Sequence, residues 1–439
     1  MANSRYSAIK APNIVYWLGA LVLLMHYYFL LSAFLEQSHL TDDSIQYLTL
    51  ADNLMEHGVF SQSYTAPLAP DVQRTPGYPL FLVLMGRFIP LVLVVQHLLV
   101  LWTGYLLYRL LRRYMRERVA RTGAWLYLLQ PYPMIFASMV LSETLFIFLL
   151  VGALSFFLRW YARVRLLDLV LSLGLLGLAA YVRPLAYPLL LAGGLLAVLK
   201  LFFRRRWQMI PGLAVLLLLP SLLLGPWLVR NHNLTGRYVL TSMGDMGMVH
   251  GRLGGLEAWR QQLPVEEHYF YMAGDSIAAQ KIGLPAIREY PSGVRTHETE
   301  TYDPRLKGIT LAYFWSHPLD GLRFTARNLG AMLTGVGYGW AQGLTHSETG
   351  ARISAGLQLG LNVLMYLGLL IALRWLRQWR PVHWIALVTV GLTLLISAAG
   401  WADGRYRVVI DPLLIIFVAY VLERRLLYLE YREERAGEV

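Results

Sequence analysis

The chain contains no cysteine. A disulfide framework, a thiol nucleophile and a thiolate metal site are therefore all excluded. Charge is also scarce. Asp, Glu, Lys and Arg make up 15% of the 439 residues, against about 25% in average soluble proteins. The histidines are scattered, with no HxH or HExxH spacing, so no metal-ligand pattern is indicated. Neither a Walker loop nor a GxGxxG following a strand occurs, which argues against ATP-driven transport by this chain.

What the chain has instead is apolar length. Hydrophobic residues make up 56% of it, gathered into runs of roughly 18 to 22 residues, enough to cross a hydrocarbon core of about 30 Å. The fold class is an all-α polytopic membrane protein, read as one integral membrane domain over 1–439. The first run, 14–35, is too long for a signal-peptide core and reads as a retained span. A net charge of +12 would suggest nucleic acid in a soluble protein. Here the bases collect in alternate loops, as the positive-inside rule requires, and no nucleic-acid partner is called for.

Ten spans place every basic cluster on one side: about 14–35, 90–111, 120–139, 144–158, 167–181, 186–203, 209–228, 354–373, 382–399 and 408–422. Arg5 and Lys10 put the N-terminus in the cytoplasm. Arg112-Arg113, Arg204-Arg205-Arg206, Arg374 with Arg377 and Arg380, and Arg424-Arg425 then fall inside, as does the C-terminal tail. Two outside regions are large. Segment 36–89 carries six acidic residues against Arg74 and Arg87. Its Ile45, Leu48, Asp52 and Met55 fall on one helical stripe, which predicts a helix along the membrane surface. Region 230–350 holds a similar pattern at 308–334. Its Gly- and Met-rich part, 241–300, is expected to be mostly loop and short helices.

Several ionisable residues lie at outside ends of spans. Asp43 suits a general base. Asp42 or Asp43 equally suits an N-cap, and Asp43 with Gln46 fits a capping box. Arg74 precedes Thr75-Pro76-Gly77-Tyr78-Pro79, whose prolines hold the backbone. It reads as a phosphate ligand or as an arginine snorkelling to the headgroups. Glu143, in a short outside turn, needs a partner. It would orient an acceptor, hold a base or pair with an arginine. Arg183, Arg230, Arg405 and Arg407 stand where topology does not favour positive charge. They suggest an anionic ligand, most simply a lipid phosphate, or they are partners of acids or headgroups. His26 and His97 fall within spans and read as packed, hydrogen-bonded residues.

In chain order these pieces resemble a known family. Asp43-Ser44-Ile45-Gln46-Tyr47 is similar to a first-loop Asp-Glu-x-x-Tyr, continued by Ala51-Asp52-Asn53-Leu54. Arg74-Thr75-Pro76-Gly77-Tyr78-Pro79 resembles the basic turn before a second span. Ser142-Glu143, Arg183-Pro184, Pro226-Trp227 with Arg230-Asn231, and Gly404-Arg405-Tyr406-Arg407 complete the series. The set resembles the GT-C membrane glycosyltransferases of the family 39 group, which includes protein O-mannosyltransferases and the bacterial lipid A aminoarabinose transferase. Ser44 stands where mannosyltransferases carry Glu, which points away from protein mannosylation and towards a bacterial decorating enzyme.

The resemblance implies a GT-C bundle with juxtamembrane helices in both large outside regions. It implies an inverting transfer of sugar from a polyprenyl-phosphate donor to a glycan, lipid or protein hydroxyl, without a cofactor or metal. Asp43 would be the base, with Asp42 beside it, and Glu143 would place the acceptor. Arg74, Arg405 and Arg230, with Arg183 and Arg407, would hold the donor phosphate. Tyr47, Tyr78 and Tyr406 would position substrate. The expected setting is a bacterial inner membrane, with membrane lipids around the bundle and the site facing the periplasm. Two other readings remain. A GT-C ligase or polymerase using a lipid diphosphate would lean on His346 or His232. A lipid-linked-sugar transporter would need ionisable groups at mid-membrane depth and an inverted repeat.

Overall fold

The structure, a computed structural model, describes residues 11–203, 206–264, 267–282, 305–398 and 404–437. Arg5, Lys10, Arg204, Arg205, residues 283–300 of the Gly- and Met-rich part and the start of the last outside loop (Trp401, Ala402 and Asp403) lie outside the described residues. Among the described residues the chain is helical, and the only extended pairing is a single antiparallel bridge between Ser61 and Pro70.

The first half runs α1 (Ala11–Leu35), α2 (Asp42–His57), α3 (Gly77–Leu84), α4 (Ile89–Leu111), α5 (Glu117–Leu128), α6 (Pro131–Ala137), α7 (Glu143–Arg163), α8 (Leu166–Val182), α9 (Ala186–Phe202) and α10 (Arg206–Thr235). Short helices follow: α11 (Met243–Met246), a π-helical stretch Gly247–Gly254, α12 (Gly255–Arg260), α13 (Glu267–Ile282), α14 (Arg305–Ser316), α15 (Pro318–Thr334) and α16 (Tyr338–Thr345). The chain ends with α17 (Glu348–Ala372), α18 (Pro381–Ala398), two 3₁₀ turns (Gly404–Tyr406 and Val408–Ile410) and α19 (Asp411–Gly437).

Among the described residues, six helices are long and apolar enough to cross a membrane: Ile14–Leu35, Ile89–Leu111, Glu143–Arg163, Ile210–Thr235, Glu348–Gln378 and Pro381–Ala398. Two shorter apolar helices, Leu166–Val182 and Ala186–Phe202, stand beside them. Side chains such as Leu217, Leu218 and Leu222 on α10 are exposed, as expected of a surface whose solvent is lipid. The protein is an integral membrane protein.

The expected span at 120–139 is not one helix. It breaks between α5 and α6, where Gln130 is extended (φ −76°, ψ 127°) and Pro131 opens the next helix. Proline removes a backbone donor and pushes its predecessor out of the helical region. The expected last span, 408–422, starts as the 3₁₀ turn Val408–Ile410, and α19 then continues into a charged tail.

Helix α7 lies at the centre of the bundle, packed against α4 and α8. Its Phe146, Leu158 and Trp160 are buried, as is the whole stretch 411–420 of α19. Both helices begin at the same end of the bundle. That end also receives the start of α2, the turn before α3, the end of α8 and the 3₁₀ turn Gly404–Tyr406. Six pieces of the chain therefore converge on one place.

Candidate active site

The start of α2 is fixed by its own cap. Thr41, in extended conformation, accepts a hydrogen bond from the Ser44 backbone, and the Ser44 hydroxyl accepts one from the Thr41 backbone at 3.0 Å. The capping box is thus Thr41 with Ser44, not Asp43 with Gln46. Both aspartates are relieved of capping. Asp42 is exposed, whereas Asp43 turns into the bundle end.

Asp43 lies between two arginines. One carboxylate oxygen accepts from Arg74 Nη2; the other accepts from Arg405 Nη1 at 2.6 Å. Arg405 also donates from Nε to Glu143, and Arg183 Nη1 reaches the same Glu143 oxygen at 2.5 Å. The result is a continuous relay, Arg74–Asp43–Arg405–Glu143–Arg183. Three guanidiniums face two carboxylates, so the relay carries one net positive charge. Exposure differs along it. The Glu143 side chain is fully buried, the three arginines are 11–12% exposed and Asp43 is 26% exposed. Asp43 is the more exposed of the two acids.

Burial pushes the Asp43 carboxyl up, but the Arg74 and Arg405 guanidiniums overcome it and hold the group well below the usual carboxylate range. Burial disfavours the charged form of Arg74 and Arg405 too, yet their carboxylate partners raise both above the ordinary arginine value. Asp43 and its two arginines are therefore ionised at rest.

Arg74 is held from several sides. Gln46 Oε1 accepts from its Nε (2.8 Å) and Nη2 (2.6 Å), and its guanidinium lies 5.1 Å from the Tyr47 ring. Its backbone N–H donates to Asp71 at 2.8 Å, a local side-chain turn. Burial raises the Asp71 carboxyl despite that bond and one from Gln62. Neither Asp71 nor the Gln46 contact figures among the residues expected from the sequence. The only cue was an aspartate three positions before the arginine.

The expected tyrosines divide. Tyr47 is buried, with its hydroxyl 3.4 Å from Ser142 and 3.5 Å from Arg74. Tyr406 offers its ring to Arg183 at 5.7 Å. Tyr78 is fully buried; its hydroxyl donates to Gln96 at 2.7 Å and its ring packs edge-on against Tyr47. Burial pushes the Tyr78 phenol well above its ordinary value. Tyr78 supports Tyr47 from behind.

Two arginines expected on the donor phosphate do not join the relay. Arg230 sits within α10, donating at 2.8 Å to the Asp71 carbonyl and to Asn231, and stacking on Trp227. It braces the loop that carries Arg74. Arg407 is fully buried and donates to Asp411 at 2.7 Å. Successive residues of a 3₁₀ turn are rotated by about 120°, so Arg405 and Arg407, two apart, leave the chain in different directions.

The four histidines singled out from the sequence have partners outside the relay. His346 lies 3.7 Å from Glu36 and is 57% exposed, and His232 stacks on Tyr238. His26 and His97 meet through their Nδ1 atoms at 2.6 Å, and His97 also bonds Ser138.

No protein-family model matches the chain, and no curated protein matches it. Solved structures do. ArnT from Cupriavidus metallidurans bound to undecaprenyl phosphate is similar over 94% of this chain and 78% of that one, with 16% identity and a TM-score of 0.43. The apo oligosaccharyltransferase of Archaeoglobus fulgidus is similar over 96% of this chain and 52% of that one, with 12% identity and a TM-score of 0.39.

Proposed function

We propose that this protein is an inverting glycosyltransferase that moves a sugar from a polyprenyl-phosphate donor to an acceptor hydroxyl at the membrane surface. The observation that carries the reading is the relay itself. Two carboxylates and three arginines from five separate elements interlock at one end of a membrane bundle, with Asp43 at its exposed edge. Burying so many charges is costly unless each is paired. An excess of one guanidinium suits an anion.

The chemistry follows from the charges. Asp43 takes the proton of the acceptor hydroxyl. That oxygen forms a bond to the anomeric carbon from the face opposite the phosphate. The bond from the anomeric carbon to the phosphate oxygen breaks, and polyprenyl phosphate leaves. Negative charge grows on that oxygen, where Arg74 and Arg405 supply preorganised positive charge. A carboxylate held by two arginines is a weak base. A donor phosphate competes for the same guanidiniums, loosens their hold on Asp43 and raises its basicity. In this reading the donor itself arms the base. Glu143, deeper in the bundle and fully buried, keeps Arg405 and Arg183 in place and would act on the acceptor only through them. The site faces the outside of a bacterial inner membrane, with both termini in the cytoplasm.

The reading is tested by binding. Undecaprenyl phosphate titrated into the full-length protein in nanodiscs should bind with saturation, and Arg74→Gln and Arg405→Gln should each weaken it at least tenfold. Equal binding by wild type and both variants would sink the assignment of the cluster to a lipid phosphate.

A further inference from the structure

Arg405 reaches both carboxylates of the relay, yet it stands on a single 3₁₀ turn. Such turns have poor hydrogen-bond geometry and are weakly self-supporting. This one is closed by Arg407 N–H to Gly404 O at 2.9 Å, followed by Ile410 N–H to Arg407 O at 2.8 Å. Something else must hold it.

Both of its edges are seated. At the front, Gly404 lies against Gly335 and Tyr132. A Cβ on Gly404 would fall 2.6 Å from the Tyr132 hydroxyl, and one on Gly335 would fall 2.8 Å from the Gly404 Cα. At the back, Arg407 is wholly buried, paired with an equally buried Asp411, with its guanidinium 5.2 Å from the ring of the same Tyr132. Asp411 is the first residue of α19, whose next nine residues are buried. The pair therefore ties the turn to the rigid start of a core helix.

The pair is a poor source of stability. Arg407 Nε and Nη2 and Asp411 Oδ2 are buried without hydrogen-bond partners, and a buried pair that is incompletely bonded gains little over apolar replacements. Its geometric consequence is clearer. We propose that Arg407 and Asp411, with Tyr132, are positioning residues that set the reach of Arg405 to Asp43 and Glu143. All three are buried, and their proposed action is through Arg405. The inference rests on the glycosyl-transfer reading.

The test is a pair of full-length variants assayed in nanodiscs for polyprenyl phosphate release, alongside Arg405→Lys. The double variant Arg407→Met/Asp411→Leu removes both charges while keeping volume. It should melt at or above the wild-type temperature. Its kcat should fall about 10- to 100-fold, the scale of a 1 Å misplacement, with a smaller change in donor KM. Arg407→Lys, which keeps the charge on Asp411, should recover part of that loss. Wild-type kcat in the stable double variant would overturn the proposal, as would a kcat that falls only together with the melting temperature. Transfer that is indifferent to Arg405→Lys would also overturn the proposal, whereas no polyprenyl phosphate release by the wild type would instead refute the glycosyl-transfer reading beneath it.

Discussion

The two ends of the bundle use the same residue type in opposite ways. At one end, Arg121 pairs with Glu117 one helical turn away, and both side chains are about half exposed (56% and 42%). Arg116 reaches Glu423 and Glu430, also in partly exposed pairs. At the other end, Arg405 joins Glu143 and Asp43 across 262 and 362 residues of sequence, at 12% exposure. Exposed i,i+4 pairs contribute about 0.3–0.5 kcal/mol. Breaking a buried pair costs about 3–5 kcal/mol, because a charge is left stranded. The first kind of arginine is the kind that the positive-inside rule reads for orientation. Under the proposed reading, the second kind serves the donor phosphate.

That contrast can be broken most forcefully at Arg405. Arg405→Lys keeps the charge, but an ammonium cannot bridge two carboxylates as a planar fork does. Transfer should fall by about 10²–10³, the cost of losing one preorganised donor. Steady-state turnover of the variant checks this, and a loss under threefold would mean that charge alone suffices.

A smaller effect is expected in the pH dependence. Asp43 is held below the ordinary carboxylate value by Arg74 and Arg405 against the opposing effect of burial. The base works only when ionised, so the rate falls as pH drops through its pKa. The profile of kcat/KM reports the free enzyme and that of kcat the bound complex. The acid limb of kcat/KM should therefore lie at lower pH than that of kcat, because donor phosphate draws the guanidiniums away. Coincident limbs, or the reverse order, would contradict donor-armed catalysis.

The smallest effect sharpens the comparison from the other end. Arg121→Ala should leave transfer within twofold of wild type and change the melting temperature little, measured on the same preparation. A large loss of transfer there would erase the distinction between the two ends.

Much of this was legible in the sequence. The apolar runs announced the bundle, and Asp43, Arg74, Glu143, Arg183 and Arg405 were each conspicuous as charges at span ends. The structure joins those five into one relay. What was hidden depends on local backbone geometry. The helix cap passes to Thr41 because Ser44 can answer it, a choice that an adjacent Asp pair obscured. Arg407 looks equivalent to Arg405 in sequence, but a 3₁₀ turn sends it into the core. Arg230 looks like a terminus residue, but α10 continues past it to Thr235 and leaves it against the Asp71 carbonyl. The break at Gln130-Pro131 was signalled by proline, yet the flanking hydrophobicity masked it. Gln46 and Asp71 act by bonding Arg74, and no sequence spacing reports such a contact across a loop.

The central claim is that Asp43 is the base of a transfer whose leaving group is a lipid phosphate. The most direct measurement is single-turnover release of polyprenyl phosphate from a panel of polyprenyl-phosphate sugars in the presence of a membrane extract. Wild type and Asp43→Asn would be compared at equal undecaprenyl phosphate affinity. The account predicts release by wild type with at least one donor and a loss of about 10²–10⁴ in Asp43→Asn. Equal release rates from the two proteins would contradict it.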